Sequence, residues 1–314
     1  MTDHGARDGL RVHRHVRIGV DLGGTKIEAA AFDGTGRTLS RRRVSTPRKG
    51  YEALIAAIVD LVRELERDAQ AVGSVGVGTP GAISPASGRI KNANSTILIG
   101  RRLHEDLARA LGREVRMSND ANCFALSEAV DGAAAGAEVV FGVIVGTGTG
   151  AGIVVRGRTL TGINAIAGEW GHNPMPWPQS GEWPGPPCYC GRTGCLETFL
   201  SGPALSRDLE AATGRRLEPP QIEAAAAAGD REAEACLLRY ESRMARGLAH
   251  VINILDPDVI VLGGGMSHIA RLYENVPRLW DAYVFSDRVA TRLVPPRHGD
   301  ASGVRGAAWL WPPQ

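Results

Sequence analysis

The sequence predicts an α/β protein whose two domains face each other across a cleft. Strands and helices alternate along 314 residues, a length that exceeds one typical domain. A unit of strand, glycine turn and strand also occurs twice, first at 17–32 and again at 139–155. This repeat indicates two related halves. We place the change of domain near Asn122–Glu128, giving domains 17–124 and 125–302.

The first half opens with a predicted hairpin. Arg17–Asp21 is a short strand that ends at two glycines, and Ile27–Phe32 is too short for a helix before the turn signal at 33–36. Tyr51–Arg67 carries apolar residues at the spacing of an amphipathic helix. The remaining predictions are a strand at Ser74–Gly78, a helix at Leu103–Leu111 and a strand at Glu114–Met117.

The second half repeats this opening. Val139–Val145 is an apolar strand that enters a glycine turn at Gly146–Gly152, and a further strand follows at Ile153–Val155. A loop rich in Pro, Gly and Trp spans Asn173–Pro187. We then expect a long helix at Glu232–Leu255, a strand at Asp258–Leu262 and a final helix at Val304–Trp311.

Charge and hydropathy exclude several classes of partner. The formal net charge of +2 gives little reason to expect binding to nucleic acid or to a membrane surface. No run approaches 18 apolar residues, so no membrane span is expected. Residues 1–16 lack the apolar segment of a secretory signal, and we expect them to form a disordered tail on a cytoplasmic protein.

Three glycine turns, each closing a strand, predict a nucleotide site, the first two for phosphate and the third for adenosine. A backbone without Cβ atoms lets N–H groups approach phosphate oxygens, and the carboxylate of Asp21 beside the first turn is suited to Mg²⁺. A glycine turn of this kind is also common in structural hairpins. The sequence has no P-loop motif, and the segments after the first two turns look extended, unlike a dinucleotide fingerprint. The turns lie at 23–26, 146–150 and 263–265.

Asn119 and Asp120 follow a predicted strand, and two interpretations remain open. Either side chain would cap the helix that begins near Ala121. Alternatively, Asp120 is the base that orients an acceptor hydroxyl in phosphoryl transfer, as a loop Asp does in other kinases, while Asn119 binds the acceptor.

A cluster of three cysteines and one histidine predicts a metal site. His172 with Cys188, Cys190 and Cys195 completes a tetrahedral Zn²⁺ shell, which leaves no open position and is therefore structural. A redox pair or inert thiols are the alternatives. Cys123 and Cys236 stand alone in predicted helices, and we interpret them as core residues.

Two acids lie close to this cluster in sequence. Glu169 precedes His172, and Glu197 follows Cys195. Paired carboxylates accept sugar hydroxyl protons well. The alternative is that both are ordinary surface acids.

The motifs together resemble the ROK family (repressors, open reading frames and sugar kinases). DLGGTK, GTPG, NDAN, GTGTGAG, GEWGH, CYCGRTGC-LE and LGGGMS occur in one order between Arg17 and Trp311. Within the family, the sequence looks most similar to bacterial fructokinases, also called mannofructokinases. The stretches that carry this similarity are KNANST, SEAVDGAAAG, GEWGHNP and HGDASGVRGAAWLW.

The resemblance implies a fold and a set of roles. The fold is the actin-like, ribonuclease-H-like one, with a C-terminal helix in 303–314 returning to the first domain. Asp120 is the general base, and His172 uses one ring nitrogen for zinc and the other for a sugar hydroxyl. The expected sugar contacts are Asn94, Asn119, Glu169, His172 and Glu197; the expected phosphate, Mg²⁺ and adenosine contacts are Asp21, Gly23, Gly24, Thr25, Lys26, Gly146, Thr147, Gly148, Gly264 and Gly265.

The expected activity is ATP-dependent phosphorylation of the 6-hydroxyl of fructose by a homodimer. N-acetylglucosamine, glucose and mannose are the alternative acceptors. A sugar sensor without catalytic activity and an NAD-dependent oxidoreductase are alternatives of other classes. Only sixteen residues, most of them polar, precede Arg17, so the DNA-binding domain of the repressor branch is not expected.

Overall fold

The computed structural model describes residues 15–93 and 95–312. Its first half contains a five-stranded sheet and a small two-stranded one. The elements follow one another as β1 (Arg17–Leu22), β2 (Lys26–Phe32), β3 (Thr38–Ser45), α1 (Tyr51–Ala69), β4 (Ser74–Thr79), β5 (Ala82–Ile83), β6 (Ile90–Lys91), α2 (Leu103–Leu111), β7 (Val115–Asn119) and α3 (Asp120–Val130).

The second half contains another five-stranded sheet and most of the helices. The order along the chain is β8 (Val139–Val145), β9 (Thr149–Val155), β10 (Arg158–Thr159), α4 (Glu197–Leu200), α5 (Gly202–Thr213), α6 (Pro219–Ala227), α7 (Arg231–Leu255), β11 (Val259–Gly263), α8 (Leu272–Trp280), β12 (Arg292–Val294) and α9 (Ser302–Trp309).

The two large sheets have the same topology. The first runs β3-β2-β1-β4-β7 and the second runs β10-β9-β8-β11-β12. In each sheet the central strand pairs antiparallel with the next strand of the chain and parallel with a later one, as β1 does with β2 and β4, and β8 with β9 and β11. The prediction of two related halves is therefore confirmed.

Helices α3 and α9 lie between the two sheets. Helix α9 packs on β1 and β4 of the first sheet, while α3 packs on β8 and β9 of the second. The two helices also contact each other so closely that a Cβ atom on Gly306 would lie 1.6 Å from the carbonyl oxygen of Cys123. Only glycine permits this approach. The interface is apolar, with Phe124, Val304 and Trp309 buried in it.

The longest helix, α7, has clear start and stop signals. The side chain of Asp230 accepts hydrogen bonds from the backbone N–H groups of Glu232 and Ala233, which caps the first turn. The helix ends at Asp256, whose φ of 47° lies in the left-handed region. Between these ends, one apolar face is buried against α5, α6 and α8.

The structure corrects two predicted boundaries and adds a strand. Strand β9 begins at Thr149, so the glycine turn is shorter than the Gly146–Gly152 segment predicted from sequence. The final helix spans Ser302–Trp309, and strand β3 was not predicted from the sequence. The domain boundaries at 17–124 and 125–302 stay a prediction. Most of the expected tail, residues 1–14, lies outside the described residues, and within them no helix is long and apolar enough to cross a membrane.

Candidate active site

Two cavities meet between the sheets. The larger one has a volume of about 620 Å³, and the smaller one has a volume of about 230 Å³. Pro80, Asp120 and Ile144 line both. Asp120 therefore lies where a ligand in one cavity would meet a ligand in the other.

Glycine turns from both halves line the larger cavity. Gly23 and Gly24 come from the β1–β2 turn, and Gly264 and Gly265 follow β11. The first turn is held by a hydrogen bond from the Gly23 N–H to the carbonyl oxygen of Lys26. Thr25 in that turn and Lys26 at the start of β2 do not line the cavity.

The other wall of the larger cavity comes from a segment that sequence reasoning did not assign. Pro296, Gly299, Asp300, Ser302 and Gly303 line it, together with Ser267 and His268 from the segment after β11. A single acid holds this wall in place.

That acid is Glu128, which is fully buried in α3. Its carboxylate accepts hydrogen bonds from the backbone N–H groups of Arg297 and His298 and from the hydroxyl of Ser302, at 2.8 to 3.2 Å. A buried carboxylate needs such donors because desolvation is costly. Sequence reasoning missed this role, although an acidic residue inside an apolar helical run (CFALSEAV) is a signal that could have indicated it.

Asp21 points into the larger cavity from the end of β1. Burial and the nearby charge of Asp120 raise the pKa of Asp21 to about 6. A carboxylate pair that shares a cavity without a cation is unfavourable, and a divalent cation between them would relieve this cost. Asp21 and Asp120 therefore have the chemistry of a Mg²⁺ site.

Asn119, and not Asp120, is the N-cap of α3. The side-chain oxygen of Asn119 accepts a hydrogen bond from the Asn122 N–H at 2.7 Å, which leaves its amide nitrogen available to a ligand. One oxygen of Asp120 accepts the Ala121 N–H at 2.8 Å. Protein atoms surround the Asp120 carboxyl and raise its pKa by burial, although the side chain stays accessible from the cavities.

Glu169 lines the smaller cavity from a short turn of 3-10 helix, Trp170–His172. Gly168 before it has a φ of 92°, and a Cβ there would lie 2.2 Å from the carbonyl oxygen of Ala151 in β9. The turn can therefore press against β9 only with glycine at this position. The carboxylate of Glu169 has no hydrogen-bond partner in the part of the chain that the structure describes.

Glu197 lies opposite, at the start of α4. One of its oxygens accepts the backbone N–H of Thr149 at 2.9 Å, so Glu197 braces the β8–β9 turn. The turn residues Gly146, Thr147 and Gly148 line the smaller cavity beside it. The hydroxyl of Thr149 is buried without a partner among the described residues, and such a group calls for water or a ligand.

The sequence-predicted sugar contacts largely come together here. Asn119, Glu169, His172 and Glu197 all line the smaller cavity. Asn94 lies outside the described residues. Asn92, which sequence reasoning did not select, lines the cavity and has a φ of 55°.

His172, Cys188, Cys190 and Cys195 form a compact cluster. Their ligand atoms all lie within 4.8 Å of one another. The Sγ atoms of Cys190 and Cys195 are 3.6 Å apart, and Nδ1 of His172 is 3.5 Å from Sγ of Cys188. Tetrahedral zinc ligands lie about 3.5 to 3.8 Å apart, whereas a disulfide needs about 2.05 Å. The donor set therefore fits Zn²⁺, bound through Nδ1.

A buried ion pair anchors the loop that leads to this cluster. Arg246, which is fully buried in α7, donates two hydrogen bonds to Glu182 at 2.6 and 2.9 Å. Arg243 donates a third at 2.8 Å. These bonds lower the pKa of Glu182 to about 2, against the opposing effect of burial. The pair is far apart in sequence and was not predicted.

Comparison with known proteins agrees with this geometry. The model of the ROK family matches residues 17–314. An N-acetyl-D-glucosamine kinase of Citrobacter koseri is 39% identical over 296 residues, covering 93% of this chain and 98% of the relative. A ROK hexokinase from Thermus thermophilus is 36% identical with a TM-score of 0.82, covering 94% of this chain and 97% of that one.

A ROK family glucokinase from Streptomyces griseus, solved with glucose and AMPPNP, is 28% identical with a TM-score of 0.75 and covers 94% of this chain and 98% of that one. The chain belongs to the ROK family and has its actin-like, ribonuclease-H-like α/β fold. At the level of a ROK family sugar kinase, the expectation from the sequence is confirmed.

Proposed function

We propose that this protein is an ATP-dependent kinase that phosphorylates the 6-hydroxyl of N-acetylglucosamine. ATP occupies the larger cavity, with its terminal phosphate directed towards Asp120, and the sugar occupies the smaller one. The position of Asp120 in the lining of both cavities supports this assignment. Of the relatives described above, one is named for N-acetyl-D-glucosamine and one for glucose, the third is named a hexokinase, and none is named for fructose. The fructose expected from the sequence therefore has no support among their names.

The catalytic steps assigned to this chain are positioning and charge stabilisation. Asp120 orients the acceptor hydroxyl in line with the terminal phosphate and takes its proton late, because the transition state is loose. Glycine-turn N–H groups stabilise charge on the transferring group. Asp21 would hold Mg²⁺, directly or through water, and the metal would supply charge neutralisation of the phosphates.

A third cavity supports an acetamido sugar as the acceptor. This side cavity, of about 200 Å³, adjoins the smaller cavity and shares Asn119 and Glu169 with it. Its apolar lining includes Ala82, Ile83 and Met117. A methyl group fits such a lining, whereas a hydroxyl alone would gain little from it.

Asn122 gives the side cavity a matching polar group. Its side chain is 6% exposed, and its Oδ1 is buried without a partner among the described residues. A buried acceptor without a donor costs about 1 to 3 kcal/mol. The N–H of an acetamido group would supply that donor. A sugar hydroxyl could also donate to this oxygen, but only an acetamido group would fill the apolar side cavity with its methyl as well. The orphaned oxygen together with the apolar lining is therefore the observation that carries the choice of N-acetylglucosamine over glucose or fructose.

A panel of acceptors tests the proposal. ADP release would be measured with N-acetylglucosamine, N-acetylmannosamine, glucose, mannose and fructose at saturating ATP. We expect kcat/KM for N-acetylglucosamine to exceed that for glucose and fructose by about 10-fold or more. A higher value for glucose or fructose would refute the acceptor assignment.

A substitution that fills the side cavity tests the acetamido site directly. Ala82→Leu should obstruct the side cavity and lower kcat/KM for N-acetylglucosamine while leaving glucose turnover unchanged. Ala110→Leu, at an exposed position of α2, is the matched control. Equal losses for both sugars in Ala82→Leu would argue against the side cavity as the acetamido site.

Two further assignments accompany the activity. We propose that the Cys₃His cluster binds structural Zn²⁺ and that the chain forms a homodimer, which sedimentation velocity would test. A catalytically silent sugar sensor is disfavoured because Asp120 and the glycine turns stand together at the cavities.

A further inference from the structure

A cavity on the outer side of the first half has no assigned role. Its volume is about 780 Å³, and its lining comes mainly from α1, α2 and the segment 99–102. Helix α1 packs with Ile18 and Val20 of β1, whereas Gly19 between them contacts α9. The cavity beside α1 therefore lies on the face of the first sheet that α9 does not cover. It shares no lining residue with the larger, smaller and side cavities.

Positive charge predominates in this basic cavity. Four arginines and two acids line it, so its formal charge is positive by two: Arg89, Arg101, Arg102, Arg109, Glu52 and Asp106. Asp106 is engaged on both oxygens, which accept hydrogen bonds from Arg109 at 2.9 Å and from the hydroxyl of Tyr51 at 2.7 Å. Arg102 donates to the carboxylate of Glu105 at 2.7 Å. The excess charge therefore comes from the other two arginines.

Arg89 and Arg101 have no carboxylate partner among the described residues. Arg89 donates one hydrogen bond to the carbonyl oxygen of Gly100 at 2.6 Å. The guanidinium of Arg101 lies 4.8 Å from the ring centroid of Tyr51, whose side chain is only 6% exposed and therefore fixed. Each guanidinium has five N–H donors in a planar fork that matches a phosphate group. Most of these donors are left for a ligand.

The starts of two helices lie at the same cavity. Tyr51 and Glu52 are the first residues of α1, and Arg102 is the N-cap of α2. Neither start has a hydrogen bond from a capping side chain, and the first N–H groups of a helix have no intrahelical partner. The positive end of each helix dipole adds to the attraction of an anion. Glu52 opposes this attraction in part.

We propose that the basic cavity binds a sugar phosphate, with Arg89 and Arg101 holding the phosphate. A phosphate monoester carries a charge of about −1.5 to −2 at pH 7, which matches the excess charge of the lining. The carboxylate of Glu52 has no partner in the part of the chain that the structure describes, and it would accept a sugar hydroxyl. A sugar phosphate is also what a sugar kinase makes. The identity of the sugar rests on the proposed function.

Calorimetry on protein with an occupied cleft tests the inference. Protein saturated with N-acetylglucosamine and AMPPNP would be titrated with N-acetylglucosamine 6-phosphate, so that the titrant cannot use the cleft. We expect one site per chain. Arg101→Gln should raise the Kd of this site about 10-fold or more, because a charge-assisted hydrogen bond is lost. It should leave kcat/KM for the sugar unchanged, since Arg101 lies outside the cleft.

Two further variants make the test specific. Ala110→Leu, at the exposed edge of the basic cavity, should also weaken binding of the sugar phosphate by filling the space. Arg278→Gln is the matched control, because it removes an exposed arginine that pairs with Glu274 on α8, and its Kd should equal that of the wild type. Absence of binding, or equal affinity in all four proteins, would overturn the inference.

Inorganic phosphate is the second titrant. It offers no hydroxyl of a sugar to Glu52 and should bind more weakly than the sugar phosphate. Equal affinity of the two titrants would overturn the assignment to a sugar phosphate. If the acceptor panel selects another hexose, that hexose and its 6-phosphate are used in the same titration, so the two proposals fail separately.

Discussion

Asp21 at the end of β1 and Asp120 at the start of α3 direct two carboxylates into one cavity. In the chain, this strand and this helix are separated by most of the elements of the first half. Burial, followed by the charge of Asp120, raises the pKa of Asp21 to about 6. The pair therefore destabilises the protein without ligand and favours a cation, which is a common feature of functional sites.

Asp21→Asn should stabilise the protein without ligand. The folded-state pKa of Asp21 lies above its unfolded value of 3.8, so the wild type loses stability as pH rises through this interval to about 6. At pH 7.5 we expect a gain of about 1 to 3 kcal/mol in the unfolding free energy of Asp21→Asn. Chemical denaturation at pH 4 and pH 7.5 measures it.

Turnover and nucleotide binding provide further measurements on this variant. Turnover should fall strongly in Asp21→Asn, and Mg·ATP should stabilise the variant less than the wild type. Identical stability of the two proteins at both pH values would contradict the proposed repulsion.

Asp120→Asn should fold normally and lose most turnover. The Asn side-chain oxygen can still accept the Ala121 N–H, so the local structure is preserved. Loss of a positioned base lowers kcat by about 10²- to 10⁴-fold. Steady-state kinetics and sugar titration would show low kcat with retained binding. Near-normal turnover would remove Asp120 from the role of base, and exposed Asp68→Asn serves as the control.

The Cys₃His cluster should carry about one zinc per chain. Cys190→Ser should lower the zinc content and weaken sugar binding, because His172 depends on the cluster for its position. Elemental analysis of protein purified without a His tag gives the stoichiometry. Cys236→Ser, a buried thiol outside the cluster, should keep its zinc. A stoichiometric disulfide without metal would contradict the prediction.

Glu182→Gln should destabilise the loop before the cluster. Removing one partner of a buried ion pair costs about 3 to 5 kcal/mol. The pKa of Glu182 is lowered from 4.5 to about 2, so its contribution is present above pH 4.5 and is lost as pH falls towards 2. The stability difference between wild type and Glu182→Gln should therefore shrink below pH 4.5.

Denaturation of both proteins between pH 7 and pH 3.5 measures this effect. Glu138→Gln, whose exposed carboxylate pairs with Arg156 on the surface, is the control and should change stability little. A pH-independent difference for Glu182→Gln would indicate that the pair does not act through charge.

Local sequence patterns predicted the elements that have a periodic apolar face. Helices α1 and α7 and strands β1 and β8 have such a face, and their predicted bounds differ little from the structure. Strand β3 was missed because its residues are mostly exposed and polar. It is held to β2 by ion pairs from Arg41 and Arg43 to the buried Glu28, and such long-range pairing leaves no apolar alternation in the sequence.

The site was predicted unevenly for the same reason. The cluster ligands stand in a compact motif and could be selected from spacing, whereas Asp120 could be named as a candidate base only beside the alternative of a helix cap. Contacts that form only when the chain folds could not be predicted from the sequence. The wall held by Glu128 and the pair of Glu182 with Arg246 join segments far apart in the chain.

The position of α9 has a consequence for how the protein is made. This helix covers β1 and β4, which leave the ribosome long before it because the whole second sheet lies between them in the chain. The apolar face of the first sheet therefore stays uncovered while nearly all of the second half is translated. Nascent chains of this protein are expected to expose that face to chaperones, and the catalytic cleft cannot assemble until translation has passed residue 309.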